Sequence, residues 1–355
     1  MTTFTRETTG VEVVNALADR VDGKTSKSLT LLDTLIALNI RASADLTSLT
    51  DEIVHAEGVV ITGASNNTLG GETAEALAHA NPAHLILLAR SQPRVEAVIL
   101  RIKALNPKVK VTFVPVSLDD FDSVRAAAAT VSGAIDKLDI LINNAGIMAV
   151  KEYTTNKDGI ELQFATNHLG HFLFTKRLFP KILAAGPGAR IVNLTSLGHK
   201  LGPVRFDDPN FSNGAAYDPW SGYGQSKTAN ILFTVGLANK LRERKIASFA
   251  VHPGAIFNTN LATHLNFQDE IAAFQVVALK NTGRPFPFAD DPAKPIEQGI
   301  TTTLVAALDP SIEAQSGSYL ADAHIQDPYE YASSKENADR LWKLSEELVG
   351  EKFDI

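Results

Sequence analysis

The 355-residue chain contains no cysteine, which excludes disulfides, thiolate nucleophiles and cysteine-based metal centres. It also lacks any run of lysine and arginine, and 33 basic against 40 acidic residues leave a net charge of -7. No nucleic-acid or anionic-membrane footprint follows from that balance. No apolar stretch approaches the about 18 residues of a membrane helix, and Met1-Thr2-Thr3-Phe4-Thr5-Arg6-Glu7 is not the basic lead of a signal peptide. The expectation is a soluble, cytoplasmic protein. Repeats and low-complexity tracts are missing as well. What is there is ordinary globular material, 45% hydrophobic and 21% charged, enough for one large α/β domain.

Residues 1–25 are polar with a short helical pattern on Val11, Val14, Leu17 and Val21. Residues 26–57 read as two amphipathic helices, the first on Leu31, Leu32, Leu35, Ile36 and Ile40, the second over 46–54. Together 1–57 form an N-terminal extension, with 26–57 as a helical insertion. From Gly58 the pattern changes. Short, continuous apolar runs at 59–61, 85–88, 109–114, 140–142, 191–194 and 249–251 suit strands of a parallel sheet buried on both faces. Helical segments fall between them at 72–80, 93–105, 121–131, 159–183 and 222–244. This alternation predicts a single Rossmann-type domain over 58–355, a doubly wound sheet that binds ligands at the carboxyl ends of its strands. Tyr319-Leu320 adds a last strand and 338–349 a closing helix. Ahead of both, 258–295 carries Leu261, Leu265, Phe267, Ile271, Phe274, Val276, Val277, Phe286 and Phe288. That segment reads as an apolar lid over a lipophilic substrate, with core or dimer surface as the other readings.

Four stretches carry chemistry. The first strand runs through Thr62-Gly63-Ala64-Ser65-Asn66-Asn67-Thr68-Leu69-Gly70-Gly71 into a helix. Small residues at Thr62, Gly63, Ser65, Asn67 and Gly70, together with Leu69, form a turn that lets backbone N–H groups approach a pyrophosphate. A plain tight turn would look the same. Arg90 stands at the end of the second strand, where an acid would meet a free ribose hydroxyl and an arginine meets a 2′-phosphate, favouring NADP(H) over NAD. The fourth strand leads into Asn143-Asn144-Ala145-Gly146. Finally, Tyr223 and Lys227 stand four apart on a helical segment, a spacing that brings an ammonium to a phenol whose free pKa is near ~10. Tyr153 with Lys157 and Tyr331 with Lys335 share that spacing, so it decides nothing alone. His168 and His171, three apart, have no third ligand nearby in sequence, and no metal is expected.

Taken in order, Thr62-Gly63, Asn144-Ala145-Gly146, Ser196, Tyr223 and Lys227 make the chain resemble the short-chain dehydrogenase/reductase superfamily. Asn167-His168-Leu169-Gly170-His171-Phe172, His252-Pro253-Gly254 and the closing Leu341-Trp342-Lys343-Leu344 resemble its retinol dehydrogenase and WW-domain oxidoreductase branch, with many fungal relatives. The resemblance implies an NADP-dependent oxidoreductase that interconverts a carbonyl and an alcohol. By it, Tyr223 is the acid or base, Lys227 lowers the pKa of Tyr223 and holds the nicotinamide ribose, and Ser196 bonds the substrate oxygen. Asn167 positions a water relay, and Asn144, Ala145, Gly146, Pro253 and Gly254 line the cofactor. Thr259 contacts the carboxamide, with Asn258 as a rival. Tyr153 and Tyr331 become surface residues, and His252 a structural one. Homodimers or homotetramers through the helices of Asn167 and Tyr223 are common in the family, and fungal relatives often serve secondary metabolism.

The departures leave alternatives open. The middle glycine of the family's turn is absent and the loop is one residue longer, with Asn67 able to take φ > 0 in its place. Ser117-Leu118 stands where relatives carry an Asp that touches the adenine. Residues 26–57 interrupt a segment that in relatives runs straight into the first strand: an insertion packed on the rim, an interface element, or translated sequence normally spliced out. A catalytically silent NADP-binding sensor is one alternative function. An extended-type epimerase or dehydratase is the other.

Overall fold

The computed structural model describes residues 8, 9, 12, 56–265, 267–288, 291 and 293–355. The helices expected within 1–57 lie outside the described residues apart from isolated positions. The apolar runs become strands: β1 (Gly58–Thr62), β2 (His84–Ala89), β3 (Lys110–Pro115), β4 (Ile140–Asn143), β5 (Arg190–Leu194), β6 (Ala247–His252) and β7 (Tyr319–Ala321). Every residue of these strands except those of β3 at the sheet edge is buried, as runs without alternation require. The order is β3-β2-β1-β4-β5-β6-β7, all parallel, and a short exposed β8 (His324–Gln326) turns back antiparallel on β7. The order reverses between β1 and β4, and the crevice above that point is where such sheets bind ligands.

The described residues include eight helices of eight or more residues: α1 (Leu69–Ala78), α2 (Gln92–Leu105), α3 (Phe121–Ala134), α4 (Gly170–Ala185), α5 (Pro219–Leu241), α6 (Phe267–Thr282), α7 (Thr301–Leu308) and α8 (Lys335–Val349), all but α6 flanking the sheet. Side chains alternate along each strand, so Val60, Leu141 and Ile191 pack under α3, α4, α5 and α8, while Ile61, Ile142 and Val192 pack under α1, α2 and α7. The chain end closes the first layer. Trp342 meets Phe172 at 5.3 Å and Phe353 meets Phe179 at 5.3 Å, so α8 and the tail cover part of α4 and α5. Glu351 ties that tail down between Arg125, Lys176 and Arg177.

Three boundaries depart from the sequence pattern. Helix α1 begins at Leu69 rather than 72, because the Thr68 hydroxyl caps it by accepting the Gly71 N–H at 3.2 Å. The single helix expected over 159–183 is broken: Leu162–Phe164 is one short turn and Ala165–Leu169 is a π-helical turn, in which the Gly170 N–H reaches back five residues to the Ala165 carbonyl. Periodicity of 3.6 cannot show one inserted residue, yet such turns accumulate at functional sites. The antiparallel β8 has three exposed residues and no apolar signature to reveal it.

Candidate active site

The carboxyl ends of β1, β4, β5 and β6 open into a cleft of about 980 Å³, part of it open to solvent. Its floor is polar and its roof apolar. Helix α5 starts where Asp218 accepts the Trp220 and Ser221 N–H groups and Pro219 occupies the first turn, and one turn later Tyr223 and Lys227 face the cleft. Ser196, just past β5, faces it too, its Oγ accepting the Gly198 N–H at 3.0 Å. A Cβ on Gly198 would stand 2.6 Å from the Tyr223 ring, so only glycine lets the serine turn lie directly against the phenol.

Burial sets the electrostatics of this floor. It pushes Tyr223 up to about 12, and a hydrogen bond with Ser196 pulls the other way. The same burial brings Lys227 down to about 8. The expected lowering of Tyr223 by its neighbour is not the dominant influence: the Lys227 Nζ lies 5.6 Å from the ring centroid and donates to the Leu194 carbonyl at 3.3 Å. Asn230 donates to that carbonyl as well, at 2.8 Å.

The two rival pairs are built differently. Lys157 reaches Asp120 at 2.7 Å and Asp122, and Lys335 reaches Asp339 at 2.6 Å, so each lysine is neutralised at the surface. Their tyrosines are not plain surface residues, which corrects the sequence reading. Tyr153 is half-buried with its ring 5.5 Å from that of Tyr217, and the Tyr331 hydroxyl donates to the His199 carbonyl at 2.7 Å. Tyr153 lies in a loop and Tyr331 in the short helix Glu330–Ser333, and no periodicity announces the packing partners of either.

The other predicted residues divide between the lining of this cleft and positions outside it, the latter being Thr62, Gly63, Ser65, Asn67, Gly70, Arg90, Ala145 and Asn167. Leu69, Asn144, Gly146, Pro253, Gly254 and Thr259 line it, while Asn258 is exposed and outside the lining. Gly63 has φ +72, and a Cβ there would meet the Ala145 Cα at 2.9 Å. A Cβ on Gly70 would meet the Gly63 carbonyl oxygen at 2.6 Å. Asn67 has φ 57, the conformation a glycine would otherwise supply, and Ser65 accepts a hydrogen bond from the Thr68 hydroxyl through its carbonyl at 2.6 Å. The turn is thus a cradle of bare backbone at a helix N-terminus, a shape that fits a pyrophosphate. Thr62 is fully buried beneath it and holds the Asn144 and Ala145 N–H groups at 2.9 and 3.0 Å. Arg90 is exposed at the end of β2. Beyond β3, Ser117 donates to Asp119 at 2.6 Å, so an acid does stand there two residues later than the family pattern.

Asn167 sits in the π turn, fully buried. Its Oδ1 accepts the Ile147 N–H at 2.8 Å, and its Nδ2 donates to the Ile147 carbonyl and to Ser226 Oγ, each at 2.9 Å. The amide is committed to holding the loop after β4 against α5.

Sequence reasoning missed the clasps between floor and roof. Asn260 donates its Nδ2 to the Asn66 carbonyl at 3.0 Å, and His264 Nε2 lies 3.0 Å from the Met148 carbonyl. His252 Nδ1 accepts the Leu197 N–H at 3.2 Å, which makes Nε2 the protonated nitrogen that donates to Asp291 at 2.9 Å. Because the Nδ1 faces backbone N–H groups, His252, Asp291 and Ser196 do not form a hydrolytic triad. The roof itself is Phe274 on α6, stacked at 5.9 Å on Phe288 and 4.4 Å edge-on to Trp220, whose indole N–H donates to Glu270 at 2.6 Å. Among the described residues, no group of three His, Asp or Glu could hold a metal and no helix is long and apolar enough to cross a membrane.

Known proteins share both chain and shape. The short chain dehydrogenase family profile matches residues 57–207. Mouse retinol dehydrogenase 12 is 35% identical over 296 residues, covering 83% of this chain and 87% of that protein. A putative uncharacterized protein from Mycobacterium paratuberculosis, solved by crystallography, superposes with a TM-score of 0.61 at 31% identity, over 84% of this chain and 95% of that one. The NADPH-bound carbonyl reductase from chicken fatty liver has the same fold, with a TM-score of 0.55 at 22% identity over 77% of this chain and 100% of its own. The sequence is shared with known dehydrogenases over most of its length and the backbone with solved structures: the chain belongs to the short-chain dehydrogenase/reductase superfamily of oxidoreductases.

Proposed function

We propose that the protein is an NADP(H)-dependent oxidoreductase that interconverts a lipophilic ketone or aldehyde with its alcohol. The observation that carries this reading is the convergence of Ser196, Tyr223 and Lys227 on one cleft whose roof is aromatic. When bound, the nicotinamide dinucleotide supplies or takes up the hydride. The Thr62–Gly70 cradle would hold its pyrophosphate, Arg90 its 2′-phosphate, Asn144 to Gly146 and Lys227 its ribose, and Pro253, Gly254 and Thr259 its nicotinamide end.

The protein's own part is a proton and a geometry. With burial holding Tyr223 well above neutrality, the phenol keeps its proton and is poised as the acid for carbonyl reduction. Ser196 donates to the substrate oxygen and shares it with Tyr223, fixing the carbonyl before charge develops. Lys227, brought down to about 8, exchanges its proton readily near neutral pH and so can restore the phenol. In oxidation the same groups run backwards. Phe274, Phe286, Phe288 and Trp220 exclude water and select for apolar bulk. A polyketide- or terpenoid-like carbonyl fits that roof, and a role in secondary metabolism would follow from such a substrate.

The test is a fluorescence titration with NADPH and NADH on the wild type and Arg90→Ala, followed by a screen of lipophilic carbonyls. Tight NADPH binding that Arg90→Ala weakens towards the NADH level supports the reading. Binding of neither nucleotide refutes it.

A further inference from the structure

His168 and His171 stand out in the sequence as a pair, yet the π turn sends them in opposite directions. His168 enters an aromatic cluster of Phe164, Phe172 and Phe233, with Nε2 at 2.7 Å from Ser345 Oγ. His171, 2% exposed, turns toward the cleft floor and bridges two parts of it. Its Nδ1 lies 3.0 Å from the Asn167 carbonyl and its Nε2 lies 2.8 Å from Thr62 Oγ1.

The chemistry of these partners fixes every proton. A carbonyl only accepts, so Nδ1 carries the hydrogen. Burial, reinforced by the Lys227 charge, brings the ring down to about 4 and keeps it neutral, so Nε2 is an acceptor. The Thr62 hydroxyl must therefore donate to Nε2. Its two lone pairs are then aimed at the Asn144 and Ala145 N–H groups, and all three of its bonding directions are filled. One ring thus locks the hydroxyl that orders the Asn144-Ala145-Gly146 turn and, from its other nitrogen, the backbone carbonyl of Asn167.

We infer that His171 is a positioning residue with two separable duties. Through Thr62 it orders the turn that receives the dinucleotide, and through the Asn167 carbonyl it holds the π turn whose Asn167 amide bonds Ser226 Oγ, beside Lys227 on α5. The second duty rests on the proposed oxidoreductase function, whereas the first is a property of the free protein.

The two nitrogens can be removed one at a time. In His171→Asn the amide nitrogen replaces Nδ1 and keeps the Asn167 bond but cannot reach Thr62. In His171→Gln the amide oxygen replaces Nε2 and keeps the Thr62 bond but leaves the carbonyl. In the free protein, amide hydrogen exchange at Asn144 and Ala145 is expected to speed up about 10-fold in His171→Asn and to stay within about 3-fold of wild type in His171→Gln. NADPH dissociation constants should follow the same pattern, about 10-fold weaker in the first and nearly unchanged in the second. In turnover the order reverses: kcat falls about 10-fold, with a larger solvent isotope effect, in His171→Gln only. Thr62→Ala, compared with Thr62→Ser, probes the same bond from its other end should either histidine variant fold poorly, and only the alanine variant should speed exchange at Ala145. Equal exchange in all variants overturns the inference, and so does a parallel loss of binding, turnover and melting temperature in both histidine variants. If wild type binds neither nucleotide, the functional reading fails, while the exchange pattern still decides the role of His171.

Discussion

The floor and the roof of the cleft are held by different kinds of force. In the floor, Tyr223 touches the turn of Ser196 through a glycine that admits no Cβ, Lys227 is buried against a backbone carbonyl, and Asn167 is fixed by three hydrogen bonds. In the roof, aromatic side chains pack on one another and are tied down by a few side-chain clasps at Asn260, His264 and Asp291. Backbone contacts at van der Waals distance leave no room for adjustment, whereas clasped side chains can repack around substrates of different shape. Under the proposed function, chemistry and specificity reside in separate parts of one cleft, and substitutions in the two should fail in different ways.

The sharpest break is Tyr223→Phe. It keeps the ring and removes the proton, so turnover should fall about 1,000-fold while NADPH titration stays within a few-fold of wild type. Retained turnover would mean another group supplies the proton. Next is Gly198→Ala, which forces the serine turn and the phenol apart. A displacement of about 1 Å should lower kcat by about 10- to 100-fold, with KM moving less. In the roof, Phe274→Ala should instead raise KM for a bulky apolar carbonyl about 10-fold and leave kcat within about 3-fold, because only shared binding is lost. An equal fall in kcat would show that floor and roof are not separable.

A control lies far from both. Glu351 is held down at about 2 by Lys176, Arg125 and Arg177, which outweigh its desolvation. A carboxylate depressed in the folded state stabilises above its unfolded pKa of about 4.3 and loses that contribution as pH falls toward about 2. The pairs reach the surface, so the contribution is of order 1 to 2 kcal/mol after screening. Denaturant midpoints should fall over that window in wild type, and Glu351→Gln should flatten the decline without altering kcat at neutral pH.

Much of the fold was legible because every strand of the sheet except β3 and β8 is buried on both faces. Such runs as Leu85 to Leu88 and Ile140 to Ile142 have no other stable use. The order of motifs along such a sheet also announces where they meet, since all loops at the carboxyl ends of β1, β4, β5 and β6 share one rim. The sequence favoured Thr259 and left Asn258 as a rival, and the path of the loop turns Thr259 inward and leaves Asn258 exposed. The π turn at Asn167 was hidden because one inserted residue barely disturbs the apolar pattern while rotating every side chain after it.

The sequence by itself determined the architecture and the identity of the polar groups, for burial pattern and residue chemistry are local properties of the chain. The tertiary structure alone decided the balance of charges and the direction of each proton. Tyr223 shows why. Its spacing from Lys227 promises a lowered pKa, but the phenol and the ammonium are buried together, and desolvation, which depends on everything packed around them, raises one and lowers the other.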